Sequence, residues 1–215
     1  CVLGLATGST PIKLYQELVR MYKEEGLSFK NVITFNLDEY FPLEREAVQS
    51  YWSFMHKHLF NHIDIDPKNI HIPSGKWPKE DIKKYCAAYD AAIVHAGGID
   101  LQILGIGGNG HIGFNEPGSS IISKTRLVNL ANNTRLANAY EFSHLSKVPR
   151  LAVTMGIGTI MQSKRILLMA FGNKGEIITS ATEGDVTEQV PASILQEHAN
   201  CTFIIDTTVS ESLTR

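Results

Sequence analysis

His111 and Glu116 stand five positions apart in Gly110-His111-Ile112-Gly113-Phe114-Asn115-Glu116-Pro117, a loop studded with glycine. A carboxylate that accepts an imidazole N–H fixes the ring's tautomer and leaves the other nitrogen free to move a proton. A lone histidine is more often structural, but one flanked by Gly110 and Gly113, with Asn109, Asn115 and Glu116 nearby, points to a site. Asp38-Glu39 follows Phe35-Asn36-Leu37 at a strand end. An acid there can accept a proton if burial makes it basic near neutral pH, the alternative being a solvated loop acid. Thr7-Gly8-Ser9-Thr10-Pro11 lies between an expected strand and helix, where backbone N–H groups, hydroxyls and the helix dipole favour an anion. No Gly-Lys-Ser/Thr follows, so the loop suits a monophosphate rather than a nucleotide, and an ordinary capped helix start is the alternative. Lys174, after Gly172-Asn173, could meet the same phosphate as a point charge or be a solvated lysine in a first helical turn.

Other patterns are less informative. Gly105-Ile106-Gly107-Gly108-Asn109-Gly110 matches a dinucleotide fingerprint in letters only. His111-Ile112-Gly113 is a poor helix start, and no acid stands about 20 positions beyond the glycines. These glycines instead keep the backbone slim enough to lie against a small ligand. His58 and His62, with His56 beside them, have a zinc-compatible spacing but no evident third ligand, and read as surface histidines. No metal and no redox cofactor is expected. Cys1, Cys86 and Cys201 are scattered and odd in number, which suits thiols in a reducing cytoplasm better than a disulfide framework.

The elements that must position these groups alternate. Apolar runs at 2–6, 32–36, 99–106, 166–171 and 202–205 read as strands. Helical spacing follows from Pro11, in a first helical turn, to the closing Gly26, at 50–62, 80–96 and 153–161, and after Asn173 to about 182. Such alternation predicts an α/β fold: a Rossmann-like, mostly parallel sheet flanked by helices on both faces, with ligands at the strands' carboxyl ends. Thr7–Pro11, Asn36–Tyr40 and Gly105–Pro117 all fall at that edge. The 215 residues show no repeat or linker and read as one domain, 1–215. With 43% hydrophobic and 20% charged residues, the chain can build a core. Twenty Lys+Arg against 22 Asp+Glu leave no basic excess for general nucleic-acid binding. No stretch reaches the ~18–20 apolar residues that span a bilayer, and the opening Cys1–Leu5 does not read as a secretory signal.

Four stretches in order carry a family resemblance: Leu3–Pro11, Thr34–Tyr40, Ser50–Met55 and Gly110–Pro117. Together they resemble the glucosamine-6-phosphate deaminase family along essentially the whole chain. Pro191–His198 is most similar to bacterial members with a second, C-terminal domain, and the resemblance implies that both ends are trimmed. It also implies hydrolytic deamination of D-glucosamine 6-phosphate to fructose 6-phosphate and ammonia, in amino-sugar catabolism, by a cytoplasmic homo-oligomer. His111 would open the sugar ring with Glu116 orienting it, and Asp38 would move the proton from C2 to C1. Thr7, Gly8, Ser9, Thr10 and Lys174 would hold the phosphate.

Three departures stand out. Asn109 replaces an Asp of many relatives, and Tyr140 replaces a phosphate-binding Arg, with Arg135 as a substitute one turn earlier. An effector site would include Ser119 and Arg126, but Val128 takes a Lys position, which argues against allosteric control. The alternatives are a non-catalytic sugar-phosphate sensor, suggested by Asn109 and Tyr140, and a hydrolase similar to 6-phosphogluconolactonase, against which Phe114-Asn115-Glu116-Pro117 speaks.

Overall fold

The computed structural model describes residues 1–214. Strands β1 (Val2–Leu5), β2 (Ile33–Asn36), β4 (Ile70–His71), β5 (Leu101–Leu104), β8 (Ile166–Ala170) and β9 (Cys201–Ile205) form one sheet, in the order β4-β2-β1-β5-β8-β9. Every pairing in it is parallel. Its strands read as near-continuous apolar runs because both faces are covered. On one face, Leu5, Ile103 and Met169 pack against Tyr15 of α1 (Ile12–Glu24) and Met55 of α2 (Tyr51–His58). On the other, Val2, Leu104 and Leu168 meet Tyr89 and Ile93 of α3 (Ile82–His95), Ile178 of α6 (Gly175–Thr182) and Val209 of α7 (Thr207–Ser210). The expected doubly covered parallel sheet is therefore present.

A second sheet was not anticipated. Strands β3 (Asp38–Phe41), β6 (Arg126–Asn129) and β7 (Leu151–Thr154) pair antiparallel in the order β3-β7-β6. Helix α4 (Asn132–Ala137) follows β6. The helix expected over 153–161 is thus corrected: β7 ends at Thr154, and only α5 (Ile157–Ile160) is helical. Ala152 and Val153 are fully buried between two partner strands, so an apolar run that periodicity cannot assign is decided by pairing. Leu37 joins the two sheets. Its N–H donates to Leu5 O at 3.0 Å, and its carbonyl accepts from Met155 N–H at 2.7 Å. Asp38 is therefore the first residue to leave the parallel sheet, at its carboxyl edge.

Candidate active site

A cavity of about 340 Å³ opens at that edge. Thr7, Gly8, Ser9, Thr10, Asp38, His111 and Lys174 all line it, so the three expected loops and the lysine converge on one space. Asn109 and Glu116 lie behind the imidazole rather than in the cavity wall.

The loop after β5 is a tight turn: Gly110 N–H donates to Gly107 O (3.0 Å), and Gly107 N–H to His111 O (2.9 Å). A Cβ on Gly107 would fall 2.1 Å from the His111 ring, so only glycine lets the imidazole fold back over the turn. Asn109 Oδ1 lies 2.7 Å from His111 Nδ1, and Asn109 Nδ2 donates to Glu116 Oε2 at 2.8 Å. Glu116 Oε2 itself is 3.5 Å from Nδ1. Its other oxygen accepts from Thr134 Oγ1 (2.5 Å) and Ala131 N–H (3.2 Å). Burial opposes the Glu116 charge, but donors from His111, Thr134 and Asn109 outweigh it and bring the carboxyl down to about 2. An ionised carboxylate only accepts, so it turns the Asn109 amide until its oxygen faces the ring. Nδ1 then carries the proton, and Nε2 is the basic nitrogen. Asn115 anchors the loop by donating to Ile112 O and Met155 O, at 2.9 and 2.8 Å.

Asp38 is only 6% exposed. Among the described residues its carboxyl has no hydrogen-bond partner, and burial, with the neighbouring Glu39 charge second, holds it well above the usual carboxylate range. Gly113 adopts φ +56°, and a Cβ there would stand 3.3 Å from Asp38 Oδ2, so the histidine loop passes directly beside the carboxyl. A buried carboxyl without a partner is more basic than a solvated one, which suits it to accept a proton from a ligand in the cavity.

Other groups lining the cavity suit an anion. No side chain caps α1, and among the described residues the N–H groups of Gly8, Ser9 and Thr10 donate to no protein acceptor. Lys174, just before α6, is half-buried, has no acidic partner among the described residues, and is pulled below the usual ammonium range by burial. An unpaired, partly desolvated ammonium beside free amides favours a bound phosphate.

The other expected residues lie elsewhere. Arg135 is no substitute phosphate ligand: its guanidinium donates to Leu145 O and Val148 O, both at 3.0 Å, and braces the segment after α4. Tyr140 does line the cavity, 72% exposed, with its hydroxyl donating to Glu141 Oε1 at 3.0 Å. Ser119 and Arg126 do not line it, and Arg126 donates to Asn115 Oδ1 at 2.8 Å. Lining residues that no sequence motif singled out for a role include Tyr51, Thr134, Asn138 and Glu141. The aromatic cluster at 51–54 was the available signal for Tyr51. Among the described residues no group of three or more His, Cys, Asp or Glu is placed to hold a metal ion, and no helix is long and apolar enough to cross a membrane.

Residues 1–204 match the family model for glucosamine-6-phosphate isomerases and 6-phosphogluconolactonase. The chain is 53% identical over 204 residues to a glucosamine-6-phosphate deaminase of Lysinibacillus sphaericus, covering 94% of this chain and 85% of that one. It is 52% identical over 206 residues to the enzyme of that name from Thermoanaerobacter pseudethanolicus, covering 95% and 81%. Its structure superposes on a monomeric glucosamine-6-phosphate deaminase with TM-score 0.95 and 45% identity, over 99% of this chain and 88% of the other. The Thermotoga maritima 6-phosphogluconolactonase, at 22% identity and TM-score 0.73 over 95% and 84%, shares the fold. This chain belongs to the glucosamine-6-phosphate isomerase/6-phosphogluconolactonase family.

Proposed function

We propose that this chain hydrolytically deaminates D-glucosamine 6-phosphate to D-fructose 6-phosphate and ammonia. The observation that carries this reading is the single cavity shared by an unpaired buried carboxyl at Asp38, a tautomer-fixed imidazole at His111 and an anion cradle at Thr7–Thr10 with Lys174. The identities near 50% to deaminases support the same substrate.

The phosphate binds to the N–H groups and hydroxyls of Thr7, Gly8, Ser9 and Thr10, with Lys174 as counter-charge. His111 Nε2 accepts the C1 hydroxyl proton and returns one to the ring oxygen, which opens the sugar. Glu116 and Asn109 hold the imidazole in the tautomer this requires. Asp38 then takes the C2 proton while the C1 oxygen takes one from the substrate's own ammonium, leaving an enolamine, and Asp38 delivers its proton to C1. The resulting C2 iminium adds water and expels ammonia, so one water is consumed and one ammonia released. No electron leaves or enters the sugar, and no redox cofactor is required.

Ammonia release on incubation with glucosamine 6-phosphate, abolished in Asp38→Asn, is the expected result. A thermal shift without ammonia would favour the sensor reading. Hydrolysis of 6-phosphogluconolactone in its place would favour the lactonase reading, which at present rests on fold likeness and a shared family model. A homo-oligomer in the cytoplasm was the expectation. A glucosamine-6-phosphate deaminase 45% identical to this chain is described as monomeric, which supports a monomer as the alternative. Sedimentation of the active protein decides the oligomeric state.

A further inference from the structure

Glu39 follows Asp38 on β3, and successive strand residues face opposite sides. While Asp38 enters the cavity, Glu39 turns away from it and is 2% exposed. Its Oε1 accepts from Tyr40 N–H (2.9 Å) and Tyr51 N–H (3.0 Å), and its Oε2 from Trp52 N–H (3.1 Å). The last two are the first amides of α2, and Ser50 takes the third, from Ser53 (3.0 Å). An N-terminus usually capped by its own flanking residue is here held largely by a carboxylate from a neighbouring strand. Tyr51 opens α2 and also lines the cavity. Its hydroxyl donates to Tyr40 Oη (3.3 Å), and its ring stacks on Phe114 at 6.0 Å.

We propose that Glu39 is a positioning residue for the deamination: its carboxylate pins the strand carrying Asp38 to the start of α2, fixing Asp38 against Tyr51 across the cavity, and stands as a charge directly behind the base. This rests on the function proposed above. The groups facing Glu39 are Asp38 on its own strand, Tyr85 of α3, and Arg45 and His56 across a separate cavity of about 240 Å³. Arg45 lies flat on Trp52, 4.5 Å from the ring centre, and forms no ion pair with Glu39 among the described residues. Burial pushes Glu39 up to about 7 against the pull of its three N–H donors, so its charge changes near neutral pH.

Two variants separate the clamp from the charge. Glu39→Gln can keep both bonds to Oε1 but loses the charge and the acceptor for Trp52. Glu39→Asp keeps the charge but is one carbon too short to reach α2. In Glu39→Gln, kcat should fall by about tenfold or more, KM should change less, and the acid limb of the kcat/KM profile should move to lower pH. In Glu39→Asp, kcat should fall with the acid limb in place. A folded Glu39→Gln whose acid limb does not move overturns the proposal, whatever its kcat. If that variant does not fold, ¹³C-carboxyl NMR of the wild-type protein serves instead. Asp38 and Glu39 should each titrate in two steps, and independent single steps overturn the proposal. Wild-type protein that releases no ammonia would overturn the function itself, whereas an active wild type with an unshifted Glu39→Gln overturns only this inference.

Discussion

His111 and Glu116 are connected through the side-chain amide of Asn109, which lies 2.7 Å from His111 Nδ1 and 2.8 Å from Glu116 Oε2. The carboxylate therefore acts on the ring in two ways, through the amide that it orients and directly, with Oε2 3.5 Å from Nδ1. Glu116→Gln removes the group that dictates which way the amide points, and the wrong imidazole tautomer becomes accessible. Turnover should fall, with about 10⁴-fold as the upper bound set by the equivalent loss in a Ser-His-Asp triad. Asn109→Leu removes the amide oxygen that faces Nδ1, so the ring's ¹⁵N shifts should show a mixture of the two neutral tautomers. Unchanged shifts would mean that Asn109 does not govern the ring.

The pH dependence of stability should carry two opposed contributions. Glu116 titrates near 2 in the folded chain against an ordinary 4.5, so the unfolded chain binds more protons between those values. Its contribution of about 3 kcal/mol is fully present above pH 4.5 and is lost as pH falls toward 2. Glu39 has the opposite sign: the folded chain holds a proton between 4.5 and about 7 that the unfolded chain has released. Stability should therefore decline, by a similar amount, as pH rises through that window. Urea midpoints measured from pH 3 to 8 should rise and then fall, and Glu39→Gln should flatten the fall.

Local chemistry and periodicity agree at the residues that the structure brings to one cavity. Thr7–Thr10, Asp38, His111 and Lys174 each follow a strand end, and strand ends are legible from apolar runs that stop at glycine or polar residues. The sequence reading failed where pairing overrides pattern. In β3 the run Asp38-Glu39-Tyr40-Phe41 is buried throughout, with two acids in place of an alternation, so nothing in it reads as a strand. Arg135 illustrates a second limit: helical spacing can put it near Tyr140 but cannot reveal that two carbonyls already hold its guanidinium. Thr134 and Glu141 are common helix and loop residues that reach the cavity because α4 and the turn after it form part of its wall.

Lys174 is the cation expected to face the phosphate. Lys174→Met keeps the side chain's bulk and removes its charge. The loss of one charge-assisted contact, about 1.5–3 kcal/mol, should raise KM about tenfold or more and weaken competition by inorganic phosphate in parallel. The kcat value should change less, because the lysine holds a group remote from the bonds that break. An unaltered inhibition constant for phosphate would place the phosphate elsewhere in the cavity.

Glu141 brings a second carboxyl into the cavity, half-buried and raised by burial, next to the Tyr140 position where the resemblance implies an arginine. An acid there disfavours the substrate's phosphate but favours an ammonium, and the proposed substrate carries both charges. The two effects separate in Glu141→Gln. Fructose 6-phosphate, which has the phosphate and no amine, should bind more tightly once the repulsion is gone. Glucosamine 6-phosphate should show a higher KM, because its amine loses an anionic neighbour. Tighter binding of both sugars would mean that Glu141 acts only on the phosphate, and the recognition of the amine would then fall to Asp38 alone.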